Sequence, residues 1–88
     1  MKRTASTFAF QMGARIRKCR LGVRMTQADL GRMLGVSQQQ IGHYEAGINE
    51  VPAARTFDLC RILNVPLSSI IPGERPPPEP GHLGSELL

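Results

Sequence analysis

The sequence predicts an all-α fold: a compact domain of five helices with a basic arm before it and a proline-rich tail after it. Three observations carry this expectation. Thr26 followed by Asp29, and Ser37 followed by Gln40, are two capping-box patterns eleven residues apart, each able to start a helix. Gly35 stands between them and suits a helix end that turns through a left-handed conformation. Apolar residues at Leu30, Leu34, Val36, Ile41 and Tyr44 then let two short helices bury one face together, with Gly31 leaving room for a close crossing.

The elements follow in order. Met1 to Thr7 is polar and basic without helical periodicity, and reads as a disordered arm over 1–7. Such an arm is either a plain terminus or a segment that follows a nucleic-acid backbone or minor groove. From Phe8 to Leu21 the spacing is helical, with Phe8, Met12, Ile16 and Cys19 towards the core and Arg15, Arg17, Lys18 and Arg20 elsewhere. Gly22 helps to end it. The two motif helices occupy about 26–46, and Gly47 is placed to stop the second. Ile48–Val51 form a loop, and Pro52 suits a first helical position. A fourth helix runs to Leu63, with Phe57, Leu59, Cys60 and Leu63 as buried positions. Asn64-Val65-Pro66 breaks it, and Leu67–Ile71 form a short fifth helical turn capped near Ser68. The domain therefore spans 8–71. The tail, 72–88, opens with Pro-Gly-Glu-Arg-Pro-Pro-Pro-Glu-Pro-Gly, which sustains neither helix nor central strand, and it reads as disordered.

Eighty-eight residues allow one small domain whose core is only marginally sufficient, so a partner subunit can contribute stability. With no Trp, one Tyr and three Phe, that core is mostly aliphatic. The formal charge of +4 is unevenly spread: residues 1–24 carry seven bases and no acid, whereas 25–88 carry four bases and seven acids. A one-sided basic surface suits a polyanion such as nucleic acid. Cys19 and Cys60, without a CxxC or clustered histidines, indicate neither a metal site nor a disulfide framework. They read as reduced, partly buried small hydrophobes in a cytoplasmic protein. No apolar run is long enough for a membrane span, and Lys2 and Arg3 lack the apolar stretch of a secretory signal.

Residues 13–71 resemble a helix-turn-helix domain of the phage-repressor and Cro type, the XRE family. The resemblance rests on Gly-Ala-Arg-Ile-Arg (13–17), Met-Thr-Gln-Ala-Asp-Leu (25–30), Leu-Gly-Val-Ser-Gln-Gln-Gln-Ile (34–41), Tyr-Glu-Ala-Gly (44–47) and Leu-Asn-Val-Pro (63–66). It implies five helices, the third lying in the major groove, and a transcriptional regulator, associated with the nucleoid, that binds double-stranded operator DNA as a homodimer. Gln38 and Gln39 match the family positions that touch base edges, and His43 lies one turn beyond Gln39 on the same face. A glutamine amide offers one donor and one acceptor side by side, which complements adenine N6 and N7. His43 is either a reader of guanine or phosphate, or a solvated histidine. Gln27 matches a phosphate contact that also braces the recognition helix. Arg20 and Glu45 match a pair linking the first helix to the third, and Arg20 can also reach a phosphate. Arg17, Lys18 and Asn49 are further phosphate candidates, the first two by charge and helix position. Gly42 departs from the family, because the groove-facing position there usually carries a side chain. Leu30, Gly31, Leu34, Gly35, Val36, Ser37, Ile41, Tyr44 and Glu45 are the framework of the motif. Leu67, Ile70 and Ile71 are the dimer-interface candidates, or else they close the core.

Three functions compete. The first is a dimeric DNA-binding regulator, in particular a repressor on a pseudo-palindromic operator. The second is an antitoxin-like regulator whose main partner is a protein, engaged through the C-terminal tail. The third, an enzyme, lacks parts: no nucleophile–base constellation, metal-ligand spacing or phosphate-binding glycine loop is present, and no cofactor is expected.

Overall fold

A computed structural model describes residues 6–73 of the chain. Among these residues there are four α-helices and no strand: α1 (Thr7–Gly22), α2 (Gln27–Leu34), α3 (Gln38–Ala46) and α4 (Ala53–Leu63). The expected fifth helix is instead a three-residue 3₁₀ turn, Leu67–Ser69, with no side-chain cap and with Ser68 inside it. The cause is local. Only five residues separate Pro66 from Pro72, too few to nucleate an α-helix, and the residue before a proline is pushed away from helical geometry. Positions 1–5 and 74–88 lie outside the described residues, and with them most of the expected arm and tail, so the expected contact of the tail with a protein lies outside them too.

Helix α1 starts at Thr7, where the Ser6 hydroxyl accepts the Ala9 N–H at 3.0 Å. Its buried stripe is Ala9, Met12, Gly13, Ile16 and Arg20, a spacing of three, one, three and four. Phe8, expected in the core, lies one residue off this stripe and is 47% exposed. The same happens on α4. Thr56, Leu59 and Leu63 face inward, whereas Phe57, also expected in the core, is 57% exposed. Thr56 is accommodated because its hydroxyl donates to the Pro52 carbonyl at 3.2 Å. Pro52 itself is the residue before the helix rather than its first member.

The core gathers Met12, Ile16, Leu30, Ile41, Tyr44, Leu59, Leu63 and Ile70, with Leu34, Val36, Cys19 and Cys60 packed partly buried around it. Both cysteines are free, and burial, then the neighbouring Cys19, pushes the Cys60 thiol up. Ile70 is fully buried and closes the core, so it is corrected from the dimer candidates. Leu67 and Ile71 instead line an open apolar groove of about 280 Å³ with Phe8, Met12, Val51 and Phe57. No helix among the described residues is long and apolar enough to cross a membrane.

Helices α1 and α3 meet at backbone distance. A Cβ on Gly13 would overlap the Tyr44 carbonyl oxygen and lie 2.6 Å from that of Glu45. Nothing in the apolar pattern singles out Gly13. The space beside Gly31 is used differently from the expected helix crossing: the Val36 carbonyl of the turn would sit 2.7 Å from a Cβ there.

Candidate nucleic-acid interface

The site is built on two capped helix starts. Thr26 and Asp29 complete a reciprocal box, the Asp29 N–H donating to the Thr26 hydroxyl and the Thr26 N–H to the Asp29 carboxylate, both at 3.0 Å. These bonds from Thr26, then Arg32, hold the Asp29 carboxyl below its ordinary range. At the end of α2, Gly35 takes φ +84°, and both its own N–H and that of Val36 donate to the Gly31 carbonyl. The chain thereby reverses within a few residues and enters α3.

The second box forms only by half. Ser37 accepts the Gln40 N–H at 3.0 Å, but the Gln40 side chain does not reach back to the cap. Its Nε2 donates instead to Asn49 Oδ1 at 3.2 Å. The reason lies after the helix: Gly47 ends α3 in a left-handed conformation, and the Ile48 N–H donates to the His43 carbonyl. The loop is thus folded back along α3, which places Asn49 within reach.

Gln38 and Gln39 occupy the first two positions of α3 and are exposed. His43, four positions beyond Gln39, is half-buried on the same face. Between them Gly42 adds no side chain, and a Cβ there would touch only the Gln27 amide, at 3.8 Å. Gly42→Ala should therefore raise unfolding stability by about 1 kcal/mol through helix propensity alone, read from urea denaturation.

Beneath this face Glu45 is a hub. Arg20 Nε donates to Glu45 Oε2 at 2.6 Å and Nη2 to Oε1 at 3.0 Å, while Nη1 donates to the Met25 carbonyl at 2.8 Å. The two side chains are only 7% and 3% exposed. The hydrogen bond to Glu45 outweighs burial and raises the Arg20 pKa. Each of the three guanidinium nitrogens thus makes a bond inside the domain. Gln27 Nε2 joins the hub by donating to Glu45 Oε1 at 3.0 Å, so the first residue of α2 is fastened to α3. Arg17, Gln27, Gly42, Glu45 and Ala46 line a shallow cleft of about 230 Å³ at this junction. Arg17 and Lys18 are exposed on α1, and Asn49 is exposed in the loop after α3. A bond the sequence did not suggest runs from Arg55 Nη1 to the Tyr44 hydroxyl at 2.9 Å, joining α4 to α3. The framework residues Leu30, Ile41 and Tyr44 are buried beneath, with Leu34 and Val36 partly so. No group of three metal-ligating side chains occurs among the described residues.

Residues 16–70 match the family model described as helix-turn-helix. An HTH-type transcriptional regulator of Sinorhizobium medicae (strain WSM419) is 42% identical over 67 residues, covering 76% of this chain and 48% of that protein. A transcriptional regulator in the ATPase CF(0) region of Rhodospirillum rubrum is 41% identical over 56 residues, 64% of this chain and 52% of that one. The chain thus spans about half the length of these relatives. Among solved structures, the restriction-modification controller protein C.AhdI of Aeromonas hydrophila aligns with TM-score 0.67 at 21% identity, over 72% of this chain and 96% of the other. Hydroxypropylphosphonic acid epoxidase from S. wedmorenis aligns with TM-score 0.71 at 19% identity, but over only 35% of its own length against 75% of this chain. At these identities the two structures bear on the fold alone. The capped helix pair, the tight turn and the matched family model agree: the chain belongs to the XRE-type helix-turn-helix family.

Proposed function

We propose that this chain is a sequence-specific regulator of transcription that binds double-stranded DNA, with α3 as its reading helix. The observation that carries the reading is the exposed pair Gln38 and Gln39, at the start of a helix whose angle is held by the buried Arg20–Glu45–Gln27 hub. Their amides complement adenine edges in the major groove, each bidentate pair discriminating by about 1–3 kcal/mol. His43 extends the same face by one turn. Arg17, Lys18, Gln27 and Asn49 contact phosphates, which sets position and makes affinity salt-dependent without reading sequence.

The finer reading is a repressor that acts in the cytoplasm, at the nucleoid, as a homodimer on a pseudo-palindromic operator. Leu67 and Ile71, with Phe8 and Phe57 beside them, supply the apolar surface for pairing. Half-sites would then lie about 34–36 Å apart, one helical turn. The reading assigns no catalytic step to any residue.

Selection of bound sites from random duplexes supplies the operator. Gln38→Ala with Gln39→Ala should then erase the preference for that operator while weak, salt-sensitive binding to any duplex persists. A double variant that keeps its sequence preference would remove these two residues as readers.

A further inference from the structure

We infer that Gln40 is a positioning residue for phosphate contact: it fixes the Asn49 amide with its NH₂ group turned outward. The inference rests on the DNA-binding reading above and extends it to a residue that neither reads a base nor completes its cap. Ile48-Asn49-Glu50-Val51 contains no cationic side chain, and Asn49 carries the only side-chain N–H donor in that loop at neutral pH. Glu50 brings a negative charge to the loop, and its carboxylate accepts the Ser6 hydroxyl at 3.4 Å. Any side-chain contact from this loop to a phosphate therefore depends on which way one neutral amide is turned.

An asparagine amide has two ends. A phosphate oxygen offers only acceptors, so the NH₂ end binds it and the carbonyl end repels it. Unrestrained, an exposed amide can present either end. Here Gln40 Nε2 donates to Asn49 Oδ1 at 3.2 Å, which holds the carbonyl end towards α3. The Gln40 bond uses the oxygen of the Asn49 amide and leaves its Nδ2 without a hydrogen-bond partner among the described residues. Asn49 also keeps its place because the Ile48 N–H anchors the preceding residue to the His43 carbonyl at 2.9 Å. Orientation is set before DNA arrives, so the contact forms without a further loss of side-chain freedom.

A double-mutant cycle in the full chain tests this. Gln40→Ala, Asn49→Ala and the pair are titrated with the selected operator and an unrelated duplex over a range of salt, and melting temperatures are compared. Each single variant should lose about three- to tenfold in affinity for both duplexes, the scale of one hydrogen bond. Because no cation is removed, the salt slope should stay as in the unsubstituted chain. The pair should bind no more weakly than Asn49→Ala alone, since Gln40 acts only through Asn49. An altered base preference in Gln40→Ala would overturn the inference by making Gln40 a reader. Additive losses, or no loss on removing Gln40, would overturn it as well while leaving DNA binding in place. Failure of the unsubstituted chain to bind any duplex overturns the DNA-binding reading itself, and this inference with it.

Discussion

Glu45→Ala should destabilise the domain by about 3–5 kcal/mol, the cost of leaving one charge of a buried pair without its partner. Arg20 would retain the Met25 carbonyl but lose both bonds to a carboxylate inside a site where its side chain is 7% exposed. Small domains are stable by about 5–15 kcal/mol in all, so this single truncation removes a large share. Urea unfolding with and without the substitution measures it. A loss below about 1 kcal/mol would mean that the pair behaves like a surface bridge and does not set the α1–α3 angle. Replacing both partners with apolar residues, Arg20→Met and Glu45→Leu, should restore most of the stability, because no unpaired charge remains. The restored domain should still bind its operator poorly, because Gln27 loses the acceptor that fastens α2 to α3. Stability and recognition thus separate in the double variant.

Gly13→Ala should cost about 3 kcal/mol, at the upper end of what overpacking costs. The added methyl meets backbone rather than a side chain that can swing aside: the Tyr44 and Glu45 carbonyls of α3. Relief requires α1 to move off α3, which also strains the Arg20–Glu45 pair spanning the same two helices. Gly42→Ala is the matched control, the same chemical change in a helix where the new methyl finds only ordinary contact. Opposite signs in one urea series would locate the cause in the close approach rather than in helix propensity. A stabilised Gly13→Ala variant would mean that the two helices do not meet at backbone distance.

Much of the motif was legible because its determinants are local. Caps at Thr26 and Ser37 act over three residues, and Gly35 and Gly47 end their helices through their own backbone angles. Leu30 and Leu34 in α2, and Ile41 and Tyr44 in α3, are spaced four and three apart as one helix face requires, so the inward face of each helix could be read before any neighbour was known. The placement of Gln38 and Gln39 at an exposed helix start follows from the Ser37 cap immediately before them. The order of caps and apolar spacings likewise sufficed for an all-α chain, and the family was legible through the resemblance those motifs carry.

The remainder depended on which face each neighbour took. A shift of one residue turns a side chain by about 100° around a helix. Ala9 and Thr56 are therefore inside while Phe8 and Phe57 are exposed, against the order of their hydrophobicity. Close packing of α1 on α3 admits a glycine and an alanine on the shared stripe, and no periodicity rule values a missing side chain. Gln40 satisfied a local capping rule in the sequence, which asks its side chain to accept the Ser37 N–H, but its amide instead donates to Asn49 once the loop returns to place that residue beside it. Ile70 became core, and Arg20 was drawn into a buried pair with Glu45, for the same reason. Short-range hydrogen bonding and periodicity are written residue by residue in the chain, whereas the phase of each buried stripe and the partner of each long polar side chain arise only when helices distant in sequence are packed together.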